Sequence, residues 1–145
     1  MIDHEPFDEL CAYTLTRGDG AFIHQHVVDA FAAQTADEST APIKLTFALV
    51  GLYLHVERQF TGREVQHAHM QIARHKRAWP AFVLPCDRGS ITAADVLARA
   101  AGSVRDDAIH SWCAAVWDVF CSSRPAVEEL LAHYPEISYK ATRMA

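Results

Sequence analysis

The sequence lacks any apolar run long enough to cross a bilayer. Its longest nearly uncharged stretch, residues 45–54, is far shorter than the ~20 residues that a transmembrane helix needs. The first residues, MIDHE, also lack the basic residues and the apolar run of a secretory signal. We therefore expect no membrane span and a cytoplasmic location.

The sequence lacks closely spaced cysteine pairs and an excess of positive charge. The four cysteines contain no C-x-x-C pair, which excludes a zinc-knuckle spacing and a redox dithiol and fits reduced thiols. Cys11 falls on an apolar stripe, so we interpret it as a small core residue rather than a nucleophile. Thirteen Lys and Arg against eighteen Asp and Glu give a net charge of -5, so no overall field attracts nucleic acid or anionic lipid.

Glycine-rich phosphate loops, repeats and low-complexity runs are absent as well, and only residues 81–84 resemble a strand. Apolar residues instead recur at helical spacing, which predicts an all-α, compact single-domain helical bundle of five to six helices over residues 1–145. We expect a loop at about 80–92 and a loose tail from about 136. The main helical segments are 6–17, 20–34, 43–60, 61–78, 103–120 and 125–134, and 93–101 is a short additional helix.

Local signals support several of these segments. Residues 43–60 are apolar almost all round, which is typical of a central helix. Thr61 and Glu64 match a capping box at the start of the next helix, and Ser103 to Asp106 resembles a second cap. Residues 109–120 carry a clear apolar stripe, on which Trp112 and Trp117 are core residues by default.

Nine histidines are the unusual feature of the composition. Around the helix axis, His24 lies between Val27 and Phe31 and therefore points into the core. His69 borders the apolar face of its helix. His55 follows small residues on the central helix, which would let a neighbouring helix approach closely. Because helical bundles build metal sites from inward side chains on several helices, we predict that His24, His55 and His69 converge to bind Zn or Fe(II).

Two carboxylates could complete this site. Asp29 lies three residues after His26, and both fall on the more polar side of their helix. Glu57 lies on an apolar side of the central helix, where a charge needs a partner. With three protein ligands and one open position, the metal would activate water or polarise a small-molecule substrate, and Asp29 or Glu57 would take the proton.

Other interpretations stay open at this point. The histidines could be hydrogen-bonded core residues, and Glu57 could pair with Arg58 or Arg63. The chain could be a metal-free interaction or regulatory module that acts as a homodimer or binds a partner protein. A metal-free enzyme could use His24 or His69 as a general base. The remaining histidines considered, expected at the surface or at helix ends, are His4, His75, His110 and His133.

A basic ridge follows one face of the fourth helical segment. It consists of Arg63, His67, Arg74 and Arg77. The chain is acidic overall and carries no helix-turn-helix or RNA-binding signature, so we interpret the ridge as a solvated face and do not expect nucleic acid binding.

Several segments resemble those of a known family. Residues 22–30 read FIHQHVVDA and residues 51–57 read GLYLHVE. With residues 9–15, 68–70 and 79–80, they are similar to characteristic segments of an uncharacterised family of short bacterial proteins, a domain of unknown function. The likeness covers roughly the first half of the chain and the loop after it. The resemblance implies a bacterial cytosolic protein with the same helical core. It implies no particular activity for this chain.

Overall fold

The computed structural model describes residues 4–75 and 78–137, which form an all-helical fold without a strand in either stretch. The predicted fold class is confirmed, and six of the helices have seven or more residues, close to the expected five to six. The helices are α1 (Glu5–Thr16), α2 (His24–Gln34), α3 (Pro42–Arg58), α4 (Gly62–Ala73), α5 (Ala93–Leu97), α6 (Ser103–Val119) and α7 (Arg124–Leu131), with a 3₁₀ turn at Cys121–Ser123 before α7.

Helix ends differ from the sequence prediction where local hydrogen bonds intervene. Helix α2 begins four residues later than predicted, because the Asp19 carboxylate accepts the backbone N–H groups of Phe22 and Ile23 and holds a separate turn. The capping box of Thr61 and Glu64 at α4 is confirmed. The predicted cap at Ser103 is wrong, since Gly102 is the N-cap of α6 and gives no side-chain bond.

Three other predicted boundaries are corrected. Helix α4 ends at Ala73 rather than 78, α5 ends at Leu97 rather than 101, and α7 ends at Leu131 rather than 134. Residues 81–84 form no strand. The segment 80–92 contains no helix, whereas most of the predicted tail falls on residues 138–145, which lie outside the described residues.

The apolar helix α3 lies at the centre and packs against α2, α4, α6 and α7. Tyr53, Trp112 and Phe120 are among the largest fully buried side chains, and Trp117 is also in the core, as predicted for both tryptophans. The Trp112 indole N–H donates to the Gln34 side-chain oxygen at 3.0 Å, so the buried ring also satisfies its polar atom.

Helices α2 and α3 approach closely at Gly51. A Cβ atom at this position would lie 1.9 Å from Oδ2 of Asp29, so only glycine leaves room for that carboxyl group. The expectation that small residues on α3 admit a neighbouring helix is therefore correct at Gly51. Helix α3 ends at Arg58. Its C-cap residue Gln59, with a φ of 58°, turns the chain back, and the Phe60 N–H then bonds to the Leu54 carbonyl at 3.0 Å.

No helix of the described stretches has both the length and the apolar character to span a membrane.

Candidate functional site

Three imidazoles from three helices meet at one cleft of about 450 Å³. They belong to His26 of α2, His55 of α3 and His110 of α6. The rings of His26 and His55 stack, with centroids 3.5 Å apart and planes 20° from parallel. The centroid of His110 lies 4.9 Å from that of His55 and 6.1 Å from that of His26. We call these three residues the imidazole cluster.

Hydrogen bonds define the orientation of His55. Its Nδ1 lies 3.2 Å from the Phe60 carbonyl oxygen, which can only accept, so Nδ1 carries the proton. In the neutral ring, Nε2 then presents a lone pair. It lies 3.0 Å from Nδ1 of His110, which donates in this arrangement. In this arrangement the Nε2 atom of the neutral His110 ring is unprotonated and carries a lone pair as well.

Burial keeps the two inner rings neutral. The pKa of His26 falls to about 2, first because burial removes water from the charged form and then because His55 and His110 would repel a second charge. Burial also lowers the pKa of His55 to about 4, aided by His110 and opposed by the Phe60 carbonyl. His110 is exposed and lies on the open side of the cleft. Neutral imidazole is the form that binds metal ions.

Charged side chains also line this cleft. Asp106 lies one helical turn before His110 on α6, and its carboxylate pairs with the Arg17 guanidinium. Tyr13 donates to Asp106 Oδ1 at 3.0 Å and accepts from Arg17 at 2.6 Å. The side chains of Arg17 and Asp106 are 33% and 22% exposed, so solvent and solutes can reach the ion pair.

The structure does not bring the predicted histidines together. His24 lies 3.0 Å from the Thr14 hydroxyl through Nδ1, and His69 donates from Nε2 to the Phe47 carbonyl at 2.8 Å. Only His55 belongs to the imidazole cluster. Within residues 4–75 and 78–137, no three His, Cys, Asp or Glu side chains are already arranged to hold a metal ion, and metal binding through His24 and His69 stays a prediction.

The predicted carboxylates have other partners. Asp29 is buried beside Gly51 and accepts from Gln25 Nε2 at 3.1 Å through Oδ1, while its Oδ2 has no hydrogen bond within the described part of the chain. Burial raises its pKa well above the usual value. Glu57 accepts from the Trp117 indole at 2.6 Å and pairs with Arg124 at 2.8 Å, so the salt-bridge alternative is correct but its partner is neither Arg58 nor Arg63.

Sequence reasoning missed His26 and His110 as site residues. The helical periodicity predicts a polar side for His26 and Asp29, yet each is only 3% exposed because α2 packs against α1, α3, α4 and α6. The usable signal at His26 was the pair of small residues Ala30 and Ala33 on the same face. At His110 it was the position three residues before the buried Cys113, at the border of the apolar stripe.

The basic ridge is not one continuous cationic surface. The Arg63 guanidinium lies over the Phe22 ring, 5.0 Å from its centroid. His67 and Arg74 line a shallow groove that also contains Glu64 and Glu136, so its charge is mixed. Arg77 lies outside the described residues.

Comparison with known protein families identifies the family of this chain. The model of a family of unknown function, DUF5946, matches residues 4–121, which include all of α1 to α6 and the whole imidazole cluster. The chain belongs to this family. No curated protein and no solved structure matches this DUF5946 member.

Proposed function

We propose that this DUF5946 protein binds a transition-metal ion, Zn or Fe(II), at the imidazole cluster. The observation that carries the proposal is the 3.0 Å separation between His55 Nε2 and His110 Nδ1. Two nitrogen ligands of one tetrahedral Zn ion, each at 2.0–2.1 Å, are roughly 3.3 Å apart. A reorientation of the exposed His110 ring that turns its Nδ1 lone pair toward a common point with Nε2 of His55, with the His110 proton moved to its Nε2, would replace this hydrogen bond by two metal bonds.

The surroundings of His55 favour this role. A metal-binding histidine usually donates its other ring N–H to a carbonyl or carboxylate, which fixes the tautomer and the ring orientation. The Phe60 carbonyl meets that requirement at 3.2 Å from Nδ1. His26 also restricts the His55 ring, because the stacked His26 ring leaves it little freedom to rotate. The low pKa of His55, about 4, also means that protons do not compete with metal at neutral pH.

The exposed side of the cluster gives the function its chemical scope. Two histidine ligands leave further positions on the ion for a protein carboxylate and for water or a small-molecule substrate, where the metal would supply Lewis-acid activation. Cys11, Cys86, Cys113 and Cys121 are all free thiols, which fits the cytoplasmic location that we also propose.

Metal titration of protein purified without a histidine tag tests this function. We expect about one Zn²⁺ bound per chain, measured by isothermal titration and elemental analysis, and a loss of affinity of at least about tenfold in His55→Ala and His110→Ala. His67→Ala and His133→Ala are matched controls, because both side chains are exposed and neither lines this cleft.

Two results would overturn the proposal. One is the absence of any stoichiometric metal; the other is binding that survives both cluster substitutions. Loss of binding in His24→Ala and His69→Ala instead would favour the ligand set predicted from the sequence. A melting temperature that falls on dilution and ignores chelator would favour the metal-free homodimer.

A further inference from the structure

The imidazole cluster supplies two nitrogen ligands in place, and a carboxylate lies one helical turn away. Asp106 and His110 are four residues apart on α6, a spacing that puts their Cβ atoms about 5–6 Å apart on the same helix face. Both side chains line the same cleft as His55. Aspartate oxygens bind Zn at about 2.0–2.2 Å, so a carboxylate at this position reaches an ion held by the two imidazoles.

We propose that Asp106 is the third protein ligand of this site and that Arg17 occupies its carboxylate until metal binds. This inference rests on the proposed function. Metal binding would exchange the ion pair of Arg17 and Asp106 for a metal–carboxylate bond, giving a two-histidine, one-carboxylate set. Such a set leaves positions open and is the ligand pattern of non-haem Fe(II) sites and, with glutamate, of some catalytic zinc sites.

The hydrogen bonds of Asp106 explain why its carboxylate is not already directed toward the two imidazoles. Both carboxylate oxygens accept from Nη1 of Arg17, and Oδ1 also accepts from the Tyr13 hydroxyl. Arg17 is the C-cap residue of α1, an element that carries none of the three imidazoles, so its side chain can withdraw without moving them. Tyr13 stays hydrogen-bonded to the backbone N–H of Gly102 at 2.9 Å and can hold one carboxylate oxygen while the other faces the metal.

The neighbouring aspartate provides a matched comparison. Asp107 follows Asp106 directly and carries the same charge, but it is exposed and lines a separate groove with Ser90 and Arg99. Neutralising either residue changes the net charge of the chain equally. Only Asp106 faces the imidazole cluster, so a long-range effect of charge is separable from coordination.

The experiment compares Zn²⁺ affinity, measured by competition with a chelating dye, in the full chain and three variants. We expect Asp106→Asn to weaken binding by at least about tenfold and Asp107→Asn to change it by less than about twofold. Arg17→Gln should tighten binding by up to about fivefold, because an exposed ion pair that competes with the metal is removed. In the double variant Arg17→Gln with Asp106→Asn, this gain should disappear.

The opposite signs separate coordination from a structural role. If the ion pair only held α1 against α6, breaking it from either side would weaken binding alike, and the proposal would be wrong. Equal affinities of Asp106→Asn and Asp107→Asn would also overturn it. If wild-type protein binds no Zn²⁺, the proposed function fails; if it binds through His55 and His110 while Asp106→Asn is unaffected, only this inference fails.

Discussion

The rings of His26 and His55 lie face to face, with centroids 3.5 Å apart, although both side chains are polar and His26 is almost fully buried. In the proposed metal site, we expect this stack to make His26 a support for His55 rather than a ligand. The distinction yields a direct experiment on the imidazole cluster.

His26→Phe should keep the stack and remove the ring nitrogens. We expect Zn²⁺ affinity within about threefold of wild type, because the orientation of His55 is preserved, whereas His55→Phe should lose at least about tenfold. Thermal unfolding should show a folded protein in both cases, since phenylalanine fits an aromatic site of similar shape. A loss in His26→Phe as large as that in His55→Phe would make His26 a ligand.

His69 should make the protein less stable in mild acid. Burial lowers its pKa from 6.5 to about 4, with the Phe47 carbonyl opposing the shift, so the unfolded chain binds a proton more readily than the folded one between these values. The contribution of neutral His69 is therefore complete above pH 6.5 and is lost as the pH falls toward 4. Because His69 is partly exposed, we expect a loss on the order of 1–3 kcal/mol rather than the full shift.

Urea unfolding of wild type and His69→Gln at pH 7.5 and pH 4.5 measures the contribution of His69 to the free energy of unfolding. Glutamine does not titrate, so the difference in stability between the two proteins should move in favour of the variant at the lower pH. His133→Gln, which replaces an exposed histidine by the same residue, is the control. Parallel profiles of wild type and His69→Gln would contradict the assignment.

Asp29 has the reverse dependence on pH. Burial raises its pKa well above 3.8, with the bond from Gln25 opposing the shift, so the folded state binds the proton more tightly than the unfolded state. Stability is thus greatest below pH 3.8 with respect to this group and declines as the pH rises through the folded pKa. Asp29→Asn removes the decline, so its advantage over wild type should be larger at pH 8 than at pH 5.

The same urea measurements at pH 5 and pH 8 test this prediction. Asp107→Asn supplies a matched control at an exposed aspartate. An Asp29→Asn variant whose difference from wild type is equal at both pH values would show that the carboxyl group is ionised in the folded protein.

Gly51→Ala should destabilise the packing of α2 on α3. The new Cβ atom would lie 1.9 Å from Asp29 Oδ2 and 3.2 Å from Val65 Cγ1, so one of the buried groups must move. We expect a loss of roughly 1–3 kcal/mol, the usual range for overpacking, measured by urea unfolding. Gly20→Ala is the control, because nothing lies within 4 Å of its Cβ position. Shortening the neighbour in Asp29→Ser with Gly51→Ala should recover part of the loss, and no recovery would mean that the clash is not the cause.

Features that depend on neighbouring residues were predictable from the sequence. The capping box at Thr61 and Glu64 needs only the chain between them, and the apolar stripe that carries Trp112 identifies its own buried face. The all-helical class follows from the same periodicity. Helix ends shifted where a capping side chain such as Asp19 holds a separate turn ahead of the helix.

The candidate site depended on contacts that periodicity does not encode. His26 lies on a helix that is buried on several sides, so its angle relative to Val27 and Phe31 gave the wrong face. His110 is exposed by fractional area and still contacts His55, more than fifty residues away in sequence. Identifying the imidazole cluster required the crossing of α2, α3 and α6.

The reversal of the chain at Gln59 has a consequence for how this site tolerates sequence change. The atom that selects the protonated nitrogen of His55 is the main-chain oxygen of Phe60, placed by the left-handed geometry of the preceding residue. Every amino acid carries such an oxygen, so replacing Phe60 by another side chain leaves the acceptor in the molecule. The orientation of the His55 ring therefore depends on the path of the backbone rather than on the side chain at position 60. Substitutions that alter the left-handed turn at Gln59 are the ones that can change this orientation.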